Sequence, residues 1–247
     1  MVTEHRNHER ITNEARALEL VLQKTNIPVP RLLDHGSHPD GRRYLVTEFI
    51  EGLTLNEFPN RSCSKPKGQK HTNDTPCKCC SDQAYSNALE FISGTVLPQL
   101  ATLRSQSRGI DGFVMPPSWL SPDLQPPWIG KECWKTLPLK LPEYIFQHGD
   151  LAAHNIIMDT QTLEVKALVD WEYAGFYPPG MEGWPGTLCA DAYNRRGNNK
   201  DHLIKQFLAT EYLECYDKWS DKVELHELIK LGELPHPDQM RLAGTED

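Results

Sequence analysis

Apolar and polar positions along this 247-residue chain fall into blocks of distinct period. Between residues 9 and 24, Ala15, Leu18, Val21 and Leu22 recur at helical spacing and Leu20 widens the stripe, which predicts an amphipathic helix. Thr12 or Asn13 suits the cap of a late start, and Pro28 and Pro30 end the helix and force extension. Residues 31–36 and 43–50 read as two strands across a turn holding Pro39, Asp40 and Gly41. Glu51 and Gly52 then mark a crossover, with Leu53, Thr54 and Leu55 leading into a second lobe. Residues 59–84 lose apolar periodicity and are rich in Pro, Ser, Lys, Asn and Gln, the pattern of an exposed, mobile insertion. From 84 to 105 Leu89, Ile92, Val96, Leu100 and Leu103 form a second helical stripe, with a kink expected at Pro98. Residues 106–143 read as irregular connection in which Trp119, Trp128 and Trp134 pack, 201–213 and 219–231 as closing helices, and the tail after Pro235 as loose.

Between the irregular connection and the closing helices lies the stretch that carries chemistry. His148, Asp150 and Asn155 stand in the order H-x-D-x-x-x-x-N and lead into the apolar run Ile156, Ile157, Met158. Five turn-tolerant residues, 160–164, precede a second run, 165–169, that ends on Asp170. A hairpin here returns Asp170 toward Asn155. The resulting set of oxygen donors suits phosphoryl transfer: one carboxylate accepts the proton of an attacking hydroxyl, while an amide oxygen and a second carboxylate hold Mg²⁺ against nucleotide phosphates. Asp150 fits the first role, Asn155 and Asp170 the second, and His148 braces the loop. The competing reading is a polar surface loop followed by an ordinary hairpin.

These residues, His148 to Asp159 and Leu168 to Gly175, resemble the aminoglycoside phosphotransferase family, a branch of the kinase-like fold that includes choline kinases. Residues 27–33 resemble that family's link between first helix and next strand. The resemblance implies an α+β, protein-kinase-like two-lobe fold with a mainly helical C-terminal lobe. It implies an ATP-dependent, Mg²⁺-assisted transfer to a hydroxyl of a small molecule. Backbone groups of Glu48 and Ile50 would then bind adenine. A Glu on the first helix would pair with a strand Lys; Glu14 is the first candidate and Glu9 the second, against the alternative of a solvated helix carboxylate. The first lysine is Lys24, after Glu14, and the chain has no Gly-x-Gly. The expectation is therefore a truncated N-terminal lobe over residues 1–58, an exposed Cys-containing insertion over 59–84 and a catalytic lobe over 85–247. Activity would be impaired, with Arg6 and Arg10 the first candidates to replace the Lys. The alternative is a non-catalytic kinase-like binding or scaffold protein.

Net charge is −8, which argues against broad binding to nucleic acid or anionic membrane and leaves room for a cationic substrate. Glu211, Glu214 and Asp217 could face such a substrate, although a solvated acidic helix face is the simpler reading. No apolar run reaches the length of a membrane span, and the first residues lack the apolar core of a secretory signal, so a cytoplasmic protein is expected. Seven cysteines fit reduced thiols better than a disulfide framework. Cys63, His71, Cys77, Cys79 and Cys80 include possible Zn²⁺ ligands, but Cys77 to Cys80 crowds three thiols together, so free thiols in a flexible loop are expected.

Overall fold

The structure is a computed structural model that describes residues 7–63, 65, 67–68, 70–73, 75–111, 142–177, 222–230 and 236–238. The helix expected at 201–213, the three packing tryptophans, Glu211, Glu214, Asp217 and Arg6 lie outside these residues. The described chain is an α+β structure in which every strand pair is antiparallel.

The first helix, α1 (Asn7–Lys24), starts slightly before the expected position. Its buried side is Ala15, Ala17, Leu18 and Val21, whereas Leu22 is 41% exposed and leaves the predicted stripe. Strands β1 (Leu32–Ser37) and β2 (Arg43–Thr47) form a two-stranded sheet. Their turn closes through His38 N–H to Arg42 O and Gly41 N–H to His38 O, with Gly41 at φ 89°, where a missing Cβ removes the steric penalty. β2 ends at Thr47, so Glu48 and Ile50 fall just past the strand rather than within it. Past Gly52, β3 (Leu53–Thr54) joins the sheet of β6 (Ile156–Met158) and β7 (Val165–Leu168). Gly52 makes this approach possible, since a Cβ there would stand 2.6 Å from Ile157 Cγ2 and from Met158 O. A third sheet has the order β4 (Arg104–Ser105), β5 (Tyr144–Gln147) and β8 (Gly175–Tyr177).

One apolar core runs from Leu18 and Val21 of α1 through Leu55, Phe58, Ile92 and Leu100 to Ile156, Leu168 and Trp171. It is continuous across the boundary expected near residue 58. Its long wall consists of α2 (Lys78–Phe91), a π-helical turn (Ile92–Val96) and α3 (Leu97–Thr102). Cys80, Ala84, Ala88, Ile92, Val96 and Leu100 are all buried, a spacing of four residues throughout. Four residues overshoot an α-helical turn, so such a stripe would wind off its face. The wider π turn absorbs the excess; in it the Leu97 N–H reaches back to Ile92 O. Pro98, which has no N–H to give, stands directly after it and disrupts the α-helical ladder there. This phase shift explains why Leu89, placed on the stripe by its spacing, is 44% exposed.

Over the insertion expected at 59–84, most described residues before Cys77 are exposed, but α2 begins at Lys78, and Cys63, Cys77 and Cys80 are buried in the main core while Cys79 is exposed. Polar composition hid this because the buried groups here are thiols, which pack as small hydrophobes. At the other end, α4 (Lys222–Lys230) occupies part of the second expected closing helix. No helix among the described residues is long and apolar enough to cross a membrane.

Ile92→Ala should cost about 2–5 kcal/mol, whereas Leu89→Ala should stay within about 0.5 kcal/mol. Chemical denaturation of the two variants checks this assignment of the helical face.

Candidate active site

The β6–β7 hairpin closes as its sequence suggests. Asp159 N–H donates to Glu164 O, and the Asp159 carboxylate accepts from the N–H groups of Gln161 and Thr162 at 2.8 Å each. These backbone donors hold the Asp159 carboxyl below its usual range. Ile156 pairs with Leu168, and beyond that pair Val169 N–H donates to Asn155 O at 3.0 Å. The return strand thus delivers Asp170 beside the loop that carries Asp150 and Asn155.

His148 is fully buried, and its Nε2 lies 3.1 Å from Val169 O. The Asp150 N–H donates to Nδ1 of the same ring at 3.3 Å, which makes Nε2 the protonated nitrogen and Val169 O its acceptor. The ring centroid is 4.3 Å from that of Trp171, whose Nε1–H donates to Leu168 O. His148 therefore links the loop backbone to the returning strand. Gly149 sits at φ 84°, and a Cβ there would lie 2.2 Å from Tyr173 O. Asn155 Nδ2 donates to Asp150 O at 2.9 Å and to Asp150 Oδ2 at 3.2 Å, so the amide nitrogen is committed and the oxygen is the atom available to a cation. His154 Nε2 stands 3.6 Å from Asp150 Oδ2.

Asp170 falls at φ 65°, a strained position for a side chain with a Cβ. Its carboxylate groups with those of Glu14 and Glu172, one oxygen of each lying within 4.8 Å of the others. Burial pushes Asp170 up to about 6, and the carboxylates of Glu172 and Asp150 push the same way, against Arg10 and His154. Burial likewise lifts Glu14 to about 7, helped by Asp170 and Glu172 and opposed by a hydrogen bond from the Trp171 backbone and by Arg10. Glu14 is thus not a solvated carboxylate, and no lysine among the described residues pairs with it. Glu9 is buried near the start of the same helix. Glu48 N–H donates to Arg31 O at 2.9 Å, and its carboxylate pairs with the Arg31 Nε at 2.6 Å. Glu48 and Ile50 lie past β2, and neither makes a described hydrogen bond to the hairpin site.

The residues missed from sequence are those that dock α1 on this site. Arg10 forks onto Glu172, with Nε 2.6 Å from Oε2 and Nη2 2.5 Å from Oε1. Asn13 Nδ2 donates to Glu172 O and Ala174 O, each at 2.8 Å. Arg10 is therefore engaged by Glu172, not held free for a phosphate, and it also lies 6.0 Å from the Tyr173 ring centroid. A signal was present: Arg10, Asn13, Glu14, Ala17, Leu18 and Val21 follow one helical face, polar in its first half and apolar in its second.

Residues 99–218, a segment that holds the whole hairpin site, match the model of the APH phosphotransferase enzyme family. No curated protein matches the chain significantly. Among solved structures it is similar to the apo form of a thermostable mutant of aminoglycoside phosphotransferase APH(4)-Ia, at 11% identity and TM-score 0.44 over 96% of this chain and 86% of that one. It is also similar to aminoglycoside phosphotransferase APH(3'')-Id from Streptomyces rimosus, at 16% identity and TM-score 0.41 over 96% and 79% of the two chains.

Without divalent cation, the acidic corner should make stability depend on pH. Between the unfolded value near 4.5 and about 7, folded Glu14 keeps a proton that the unfolded chain releases, so stability falls as pH rises across this window. Asp170, raised from 3.8 to about 6, acts in the same direction. Glu14→Gln should remove much of this slope. Thermal melts of both proteins from pH 4.5 to 8 in chelator check it, and equal slopes would refute the placement of Glu14.

Proposed function

We propose that this protein transfers the γ-phosphoryl group of ATP to a hydroxyl of a small molecule. The observation that carries the reading is the Asp150–Asn155 pair, fixed by hydrogen bonds in a loop braced by His148, with Asp170 returned beside it by the hairpin. The phosphotransferase family match over the same segment supports it.

Asp150 accepts the proton of the attacking hydroxyl and orients its oxygen; the hydrogen bond from Asn155 Nδ2 fixes the carboxylate. His148 acts as a positioning residue, holding the Asp150 peptide on one side and Val169 O on the other. Asn155, through its amide oxygen, and Asp170 would hold Mg²⁺. The donor set fits a hard cation, because three buried or half-buried carboxylates converge where Asp170 sits and their repulsion favours a divalent ion. When bound, Mg²⁺ neutralises charge on the transferring phosphates. Glu14 packs beside Asp170 and sets its local charge. The Glu48 carbonyl and Ile50 amide are assigned to the adenine ring; since the Glu48 N–H is spent on Arg31, the carbonyl is the group Glu48 offers. In this reading residues 1–58 form the nucleotide side and 85–247 the substrate side of a cleft. The net charge of −8 suits a cationic acceptor in the cytoplasm.

Asp150→Asn keeps size and removes the base. It should lower turnover by about 10²–10⁴-fold with an unchanged melting temperature. Turnover close to that of the unsubstituted protein would overturn the assignment.

Asp170→Ala should weaken nucleotide binding more in the presence of Mg²⁺ than in its absence. Calorimetric titration of ATP under both conditions measures the difference. Equal losses would remove Asp170 from the metal site, and no Mg²⁺-dependent ATP binding by the unsubstituted chain would favour a non-catalytic scaffold.

A further inference from the structure

We propose that Cys63, His71, Cys77 and Cys80 form a closed structural zinc site, separate from the hairpin chemistry and independent of the phosphotransferase reading. One ligand atom of each of the four lies within 4.8 Å of every other. His71 Nδ1 is 3.8 Å from Cys63 Sγ, 3.8 Å from Cys77 Sγ and 3.6 Å from Cys80 Sγ. Cys63 Sγ and Cys80 Sγ are 3.7 Å apart. A tetrahedral Zn²⁺ with ordinary bond lengths of about 2.3 Å to sulfur and 2.0–2.1 Å to nitrogen requires S···S edges near 3.8 Å and S···N edges near 3.6 Å. The observed separations match those edges and far exceed the roughly 2.05 Å of a disulfide.

Three buried thiols alone would read as packing. The imidazole changes that reading. His71 is exposed, yet its Nδ1 stands at nearly one distance from all three sulfurs. Its backbone N–H also points at Cys63 Sγ, 3.4 Å away, as an outer hydrogen bond to a thiolate would. Cys77 and Cys80 form a Cys-x-x-Cys pair around the first turn of α2, where the helix N-terminus favours thiolate. Three thiolates and an imidazole select a soft or borderline metal, not the Mg²⁺ expected at Asp170. Four protein ligands leave no open position, so the role is structural. The ion would tie the loop after the 3-10 turn (Leu55–Asn60) to α2, beside the Cys77 N–H to Arg61 O hydrogen bond.

The test is metal analysis of the full chain purified under reducing conditions without chelator. A zinc-to-protein ratio near one supports the site. Iron in its place, or no metal together with no uptake of added zinc, overturns it. Cobalt substitution should give the visible bands of tetrahedral thiolate cobalt; their absence overturns the site without any variant needing to fold. His71→Ala changes an exposed residue and should still fold, but it should weaken zinc in competition with a chromophoric chelator by more than the roughly 10–100-fold typical of losing an outer-shell partner. His71→Cys should restore binding with a shifted cobalt spectrum, and Cys79→Ser should change nothing. Unaltered affinity in His71→Ala, or metal lost in Cys79→Ser, would assign the wrong ligands.

Discussion

The peptide of Val169 is the constraint on which the rest of the site depends. Its N–H is given to Asn155 O and its carbonyl receives the His148 Nε2–H. One residue of the returning strand therefore fixes both ends of the loop that holds Asp150. Asp170 follows immediately and has no freedom to choose its position, which is consistent with its φ of 65°. Buried hydrogen bonds of this kind contribute modestly when made and are costly to leave unmade, so the loop and the strand stand or fall together.

α1 closes the arrangement from the other side. The Arg10–Glu172 fork and the two bonds from Asn13 pin the backbone just past Asp170, so the helix and the hairpin share one polar seam. The same helix reaches the apolar core through Leu18 and Val21. Glu14 lies between these two regimes, which is why burial dominates its raised pKa. A bidentate Arg–carboxylate pair is specific in geometry, so the seam sets the register of the helix as well as its attachment.

What could be read from sequence was local. The grouping of His148, Asp150, Asn155 and Asp170 was legible because a short loop and a tight hairpin bring them together within one stretch of the chain. Arg10 and Glu172 are 162 positions apart, and no local pattern joins them. Leu89 was misplaced because hydrophobic spacing assumes a constant helical period, which the π turn interrupts. The candidate Zn²⁺ ligands were visible, but free thiols were expected for a related reason: closing the cluster needs the path of the loop between Cys63 and Cys77, and composition describes only its solubility. Cys77 and Cys80 had the paired spacing all along, obscured by Cys79 between them.

The π turn at Ile92–Val96 also has a bearing on how the two helical segments keep their phase. Winding it as regular α-helix with every residue kept would repair the hydrogen-bond ladder. It would also rotate everything N-terminal to it by about 100° relative to α3. Cys80, Ala84 and Ala88 would swing away from the core together, and the thiols would lose their partners on the neighbouring loop. The irregular turn thus acts as a phase adjuster, and the locally less regular backbone is what keeps two distant parts of the molecule aligned.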